Sequence, residues 1–215
     1  MNMHIKSDSS EISELSGKVQ KNELCETFYD SGKIKERWTQ KHGKLHGMYR
    51  SYFESGVLET QIDHQNGKEH GIIELYYETG QLESKGWNVE GAHHGLFEKY
   101  YPSGKLFFKV EFKDDKEEGS SECFHENGNV ATKAFYKDGC LHGRYERYFE
   151  NGDLECTKYY GLGIQNGAQV TYYPNGEVEE RVNYEFGLPE GLWEHFAEDG
   201  SLIEQRNYKG GEIAT

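Results

Sequence analysis

Short runs of alternating apolar and polar residues, broken by glycine, dominate the chain. In Leu96-Phe97-Glu98-Lys99-Tyr100-Tyr101-Pro102-Ser103-Gly104-Lys105-Leu106-Phe107-Phe108-Lys109-Val110-Glu111-Phe112, two runs rich in aromatic and β-branched residues flank a Pro-Ser-Gly turn. Each run has strand length and the turn ends on a residue that tolerates positive φ, so the pattern predicts a β-hairpin. The same pattern returns every 24 residues, marked by Gly32, Gly56, Gly80, Gly104, Gly128, Gly152, Gly176 and Gly200. A second series, Gly43, Gly67, Gly91, Gly139, Gly163, Gly187 and Gly211, keeps the period, with Asp115 in its one substituted place. A third runs Gly47, Gly71, Gly95, Gly119, Gly143, Gly167 and Gly191. A period of this length predicts stacked structural units that each touch only their neighbours.

A three-residue loop closed by a left-handed glycine sets the residue four before the glycine opposite the residue two after it. Pro102 and Pro174 fit such a loop, because their fixed φ suits the second residue of a type I turn. The first column reads Phe28, Tyr52, Tyr76, Tyr100, Phe124, Tyr148, Tyr172 and Phe196. Its partner column reads Ile34, Leu58, Leu82, Leu106, Val130, Leu154, Val178 and Leu202. Aromatic–aliphatic cross-strand pairs of this kind contribute roughly 0.2–1 kcal/mol each and form a predicted spine.

Strict alternation puts Leu24, Met48, Ile72, Leu96 and Leu192 on the spine's face. It sends Tyr29, Phe53, Tyr77, Tyr101, Phe149 and Tyr173 to the other face, together with Arg37, Lys85, Lys109, Lys133 and Arg181. Those six aromatic residues are candidate partner-binding groups. Two readings of them stand: rings packed on the stems of long basic side chains, or a contact surface of interface anchors. The expected fold is all-β, an elongated twisted antiparallel sheet of eight 24-residue hairpin repeats, 24–47 through 192–215. Residues 24–215 form a single repeat domain, and residues 1–23 a polar N-terminal segment or degenerate cap.

Composition agrees with a thin sheet. Hydrophobic residues are 34% of the chain, too few for a thick core, whereas 16 Tyr and 11 Phe supply amphipathic rings for both faces. The formal charge of −14, from 38 acidic and 24 basic side chains, repels phosphate backbones and anionic headgroups and so disfavours nucleic acid and membrane. A basic protein partner is favoured. Cys25, Cys123, Cys140 and Cys156 occupy four different positions of the repeat, so free thiols in a reducing compartment are expected. The first residues carry no apolar stretch, and the expected location is the cytosol.

Four histidines, His46, His70, His94 and His142, precede glycines of the third series, and the series passes through Glu118, Asn166 and Glu190. Successive repeats are about 9–10 Å apart, two strand spacings, which is far too wide for shared ligation of one zinc ion. Turn capping or local hydrogen bonding is the expected role, and no metal site is expected. A carboxylate row, Glu26, Glu74, Glu98, Glu122, Glu146 and Glu194, lacks the asymmetry of an acid–base pair and reads as a cation-facing or solvated ladder. No nucleophile elbow, phosphate loop, zinc-protease or dinucleotide motif occurs, so neither an enzyme nor a cofactor is expected. The copies disagree most between Lys113 and His125. There Asp114, Asp115, Glu117 and Glu118 form either a docking point for a basic partner or a decayed copy.

Gly139-Cys140-Leu141-His142-Gly143-Arg144-Tyr145-Glu146-Arg147-Tyr148-Phe149-Glu150-Asn151-Gly152-Asp153-Leu154 resembles the bacterial variant of the MORN repeat, and in particular the YwqK-family antitoxin components. The resemblance covers residues 24–215. It implies an elongated run of β-hairpins, neutralisation of a partner toxin, and no catalytic residues. The wider class implies an alternative, a scaffold or a peripheral membrane-associated protein. Asp115, Ser120, Ser121 and His125 depart from the pattern, so the fourth and fifth repeats are expected to depart from the regular surface.

Overall fold

The computed structural model describes residues 4–6 and 22–214, and every regular element among them is a β-strand. Residues 1–3 and 7–21, most of the expected cap, lie outside the described residues. The chain divides into two units, one ending at Gly104 and the other beginning at Lys105, so the division falls on a turn glycine of the period. In the first unit, Glu23–Phe28, Ile34–Lys41, Gly47–Tyr52, Leu58–Gln65, Lys68–Tyr76, Leu82–Val89 and Gly95–Tyr100 pair antiparallel in chain order. His4–Lys6 adds one short strand against Glu23–Phe28. The second unit runs in the same manner from Leu106–Lys113 to Leu202–Lys209.

Both turns of the repeat follow from glycine. At the first, Gly32 N donates to Tyr29 O and Tyr29 N donates to Lys33 O, each at 2.9 Å, with Gly32 at φ 81°. This is a type I turn closed by a left-handed residue. The spine pairs follow directly: Phe28–Ile34, Tyr52–Leu58 and Tyr76–Leu82 in the first unit. In the second they are Phe124–Val130, Tyr148–Leu154, Tyr172–Val178 and Phe196–Leu202. The other turn is a two-residue loop with both φ values positive, such as His42 (53°) and Gly43 (70°) between the paired Lys41 and Lys44. Asp115, which departs from the glycine series, keeps a left-handed φ of 64° and leaves Lys113 paired with Lys116. Aspartate is among the few side chains that enter this region at modest cost.

One feature overturns the alternation-based assignment of faces. Directly after each spine pair the register slips by one residue: Tyr52 faces Leu58, but Ser51 faces Thr60, leaving Glu59 as a bulge. One extra residue reverses the parity of the rest of the second strand. Arg37, Lys85, Lys109, Lys133 and Arg181 therefore lie on the spine's own face, not with Tyr29 and its column. Lys109 Nζ sits 5.8 Å from the Phe124 ring centroid, Lys133 Nζ 5.8 Å from Tyr148, and the Arg181 guanidinium 5.1 Å from Phe196. The carboxylate row joins them there, with Glu26–Arg37, Glu98–Lys85 and Glu122–Lys109 each at 2.7 Å. The cation-facing reading of that row is the one the structure gives.

The bulge also decides where the core lies. The buried residues Cys25, Ser51, Ser84 and Asn88 in the first unit, and Val110, Cys156 and Val182 in the second, all fall by register on the face opposite the spine. On the spine's face Ile72, Trp87, Leu96, Leu192 and Leu202 remain exposed, and Thr157 is the buried exception. The face expected to carry the long basic side chains is thus the one that holds most of the buried residues.

Third-series glycines mark a further irregularity. At Gly71 (φ 118°) an added Cβ would stand 2.8 Å from the Asp63 Cβ, whereas at Gly32 it would meet nothing. Gly71→Ala therefore combines backbone strain with a clash and should cost about 2–3 kcal/mol, against about 1 kcal/mol for Gly32→Ala. Urea denaturation of the two variants checks the order, and equal losses would show that the packing over Gly71 yields freely.

Candidate interaction surface

The six aromatic candidates sit one residue beyond the first strand of their hairpins, where a side chain reaches the next hairpin. Tyr29 Oη donates to Tyr52 O at 2.6 Å, Tyr77 Oη to Tyr100 O at 2.8 Å and Tyr173 Oη to Phe196 O at 2.8 Å. His125, a departure from the column, makes the same link: its Nε2 lies 3.0 Å from Tyr148 O, so the ring N–H donates to that carbonyl. Turn side chains reinforce the stitching, with Lys33 Nζ donating to Glu54 O and Asn175 Nδ2 to Glu198 O. These tyrosines thus hold hairpins together through their hydroxyls while their rings stay half-buried. Tyr29 packs against a basic side chain as one expectation held, with Lys35 Nζ 5.8 Å from its centroid.

The opposite edge of the hairpins is joined by backbone and by acceptor side chains. Gly67 N donates to Leu45 O at 2.7 Å, and Gly163 N and Gly187 N donate to Leu141 O and Gln165 O at 2.8 and 2.9 Å. His46 Nδ1 accepts from Asn66 N and His70 Nδ1 from Glu90 N, both at 3.4 Å. Glu118 and Glu190 do the same for Asp138 N at 2.8 Å and Gly210 N at 2.6 Å. His46 and His70 are turn caps, and the changes to glutamate at 118 and 190 preserve the acceptor that the next turn's amide requires. His142 differs, its Nδ1 buried without a hydrogen-bond partner.

In the second unit Phe149, Tyr173 and Pro174 meet around a shallow pocket of about 220 Å³, with Arg147, Glu155, Thr171 and Glu179 also lining it. Arg147 is held by Glu155 at 2.6 Å, whereas Glu179 has no cationic partner among the described residues. The pocket thus offers aromatic surface beside an uncompensated carboxylate. Phe53 and Tyr77 belong to the first unit and are not part of it.

The four acidic candidates do not form one acidic patch. Asp114 and Asp115 make the tight turn, Glu118 caps Asp138, and Lys116 Nζ lies 4.0 Å from Asp138. Lys113, Asp114, Lys116, Glu118 and Asp138 surround a recess of about 310 Å³, so two lysines offset the carboxylates there. Glu117 pairs in register with Phe112, and burial pushes its carboxyl up.

A further aromatic column escaped the sequence reading. Tyr136, Tyr160, Tyr184 and Tyr208 lie eight residues after their turn glycines, half-buried on the covered face of the second unit, with Tyr145 edge-on to Tyr160 at 6.2 Å. Its 24-residue spacing was visible, but the hidden bulge made its face unassignable.

The chain belongs to the family described as MORN repeat variant, whose model matches residues 45–66, 69–88, 94–114, 117–138, 141–160, 165–185 and 189–209. Repeats of this family commonly serve protein interaction and are generally non-enzymatic. No curated protein matches the chain. It is similar to a solved structure described as "Crystal Structure of TcdB2-TccC3-Cdc42", at 11% identity over 90% of this chain and 13% of that one, with a TM-score of 0.24. No helix among the described residues is long and apolar enough to cross a membrane.

Burial raises the phenols of both faces. Tyr49 is pushed up to about 12 by burial and by its hydrogen bond to Glu36, and Tyr76 to about 12 by burial and its bond to Glu74. Unfolded tyrosine titrates near 10, so between about pH 10 and 12 the unfolded chain has fewer bound protons and stability falls as pH rises. Tyrosinate absorbance of the folded protein should lag that of the denatured chain, and the urea midpoint should hold to about pH 10 and drop above it. Coincident titration curves would refute the burial of these phenols.

Proposed function

We propose that the protein is a non-catalytic cytosolic binding protein, an antitoxin or immunity protein that occludes a basic cognate toxin. The observation that carries this reading is the pocket formed by Phe149, Tyr173 and Pro174 beside Glu179. Aromatic faces next to an unpaired carboxylate suit a lysine or arginine side chain, through cation–π attraction and ion pairing in the same recess. Preorganisation adds to it, since the Tyr173 hydroxyl is already committed to the Phe196 carbonyl. The net charge of −14 steers a basic partner toward the chain and speeds its encounter. Tyr29, Phe53, Tyr77 and Tyr101 are proposed as the equivalent contacts of the first unit. Asp114, Asp115, Glu117 and Glu118 contribute to the attractive field rather than to a single docking patch.

Coexpression with the product of the neighbouring reading frame tests the function, with rescue of arrested growth as the expected result. Glu179→Lys and Phe149→Ala should each weaken binding of that product at least tenfold and lower rescue, and Glu179→Lys should also flatten the salt dependence. The folded baseline is monitored by circular dichroism. Absence of rescue, or sedimentation of the protein with anionic vesicles at physiological salt, would overturn the antitoxin reading in favour of a scaffold or membrane-associated protein.

A further inference from the structure

The two-residue turns change character within the second unit. Their first position is left-handed throughout, and elsewhere it holds His42, Asn66, Glu90, Asp114, Asp138 and Gly210. In the sixth and seventh repeats it holds Leu162 (φ 49°) and Phe186 (φ 51°). Bulky apolar side chains are disfavoured there, and asparagine or glycine fits without the penalty. Neither residue is retained for packing: Leu162 is 60% exposed and Phe186 78% exposed. Backbone strain combined with apolar exposure points away from folding and toward contact.

The neighbouring column changes with them. Two residues further on stand Lys44 and Lys68 in the first unit, but Ile164 and Leu188 in these repeats, 52% and 50% exposed. Ile164 and Phe186 are brought side by side by the bond from Gly187 N to Gln165 O at 2.9 Å, with Ile164 Cγ2 3.6 Å from where a Gly187 Cβ would be. Leu188 packs likewise over Gly211, its Cδ2 3.3 Å from the equivalent point. The result is a set of four exposed apolar side chains on two successive turns, Leu162 and Ile164 on one and Phe186 and Leu188 on the next, and grouped apolar exposure of this kind marks interaction sites.

Its surroundings select the occupant. Glu185 stands opposite Leu188 in the register and is exposed, and exposed Glu212 lies on the next turn opposite Lys209. Around these two turns and the next, Glu185, Glu190 and Glu212 outnumber the single Lys209. A second copy of this acidic chain is a poor occupant, because like charge opposes it and four side chains fall short of the roughly 800 Å² per partner that a standard interface buries. We infer that Leu162, Ile164, Phe186 and Leu188 form a docking site for a short amphipathic polypeptide segment whose apolar anchors are flanked by lysine or arginine. This deepens the protein-binding reading and rests on it for the class of partner, but uses a surface separate from the Phe149–Tyr173 pocket.

The test uses a fluorescein-labelled decapeptide of alternating leucine and lysine, with its leucine–glutamate counterpart as control, read by anisotropy at two salt concentrations. Wild-type protein should bind the basic peptide, more weakly at high salt, and ignore the acidic one. Leu162→Asn together with Phe186→Asn should reduce that affinity at least tenfold while leaving the thermal midpoint unchanged or higher, since asparagine accepts the left-handed backbone. Equal binding by the double variant, or a fall in its thermal midpoint, would overturn the inference. So would patch-dependent self-association in sedimentation velocity, or patch-dependent binding to anionic vesicles, which would assign the surface to a second copy or to lipid. Glu179→Lys serves as the separating control: loss of growth rescue with peptide binding intact touches the antitoxin function alone, and the reverse touches this site alone.

Discussion

Several hairpins leave backbone carbonyls at their turns that their own strands do not satisfy, and a neighbouring hairpin satisfies them. Gly67, Gly163 and Gly187 amides reach back across one edge, and the hydroxyls of Tyr29, Tyr77 and Tyr173 reach forward across the other. An unmet backbone carbonyl in a half-buried setting costs on the order of 1–3 kcal/mol, so each such link stabilises the stack. This constraint favours a fixed period, because the glycine amide recurs at intervals that match one hairpin and a donor side chain recurs with it in many of the repeats. A sheet with few buried apolar residues thereby becomes a stack in which each repeat is completed by its neighbour.

The same constraint explains the tolerance of the array to substitution. What is kept at a column is a hydrogen-bonding capacity and a backbone conformation, not a residue type. His125 replaces a tyrosine and still meets the Tyr148 carbonyl, while Glu118 and Glu190 replace histidines and still accept from the following turn. Asp115 replaces a glycine and still adopts a left-handed φ. The apparent decay of the fourth and fifth repeats is therefore chemical equivalence at three of its positions. Leu162 and Phe186 are a different kind of departure, because they neither cap nor pack.

Two surfaces emerge with different physics. The spine's face is an ionic lattice in which glutamate, lysine or arginine and an aromatic ring alternate, as in Glu98–Lys85 with the Tyr100 hydroxyl donating to Glu98 at 3.0 Å. Its charges largely satisfy one another, which leaves little for a partner. The opposite face carries the buried residues and the half-buried tyrosine column, and beside it lies the acidic, aromatic pocket of Phe149 and Tyr173. Binding is therefore better served where side chains have spare capacity than where the sequence shows its most regular pattern.

The repeat length, both turns and the cross-strand spine were legible in the residues, as was the local hydrogen-bonding role of His46 and His70, because each depends on local backbone geometry and on glycine recurring at fixed intervals. The faces were not. A single bulge residue, such as Glu59, reverses alternation for the remainder of a strand, and nothing in its side chain announces it. The equivalence of His125 with tyrosine was equally hidden, since the bond it makes reaches a carbonyl 23 residues away. What the chain determined by itself was therefore the unit and its period. Which face is covered, which charges are already matched and which apolar residues are left over were decided by hairpins meeting one another in three dimensions.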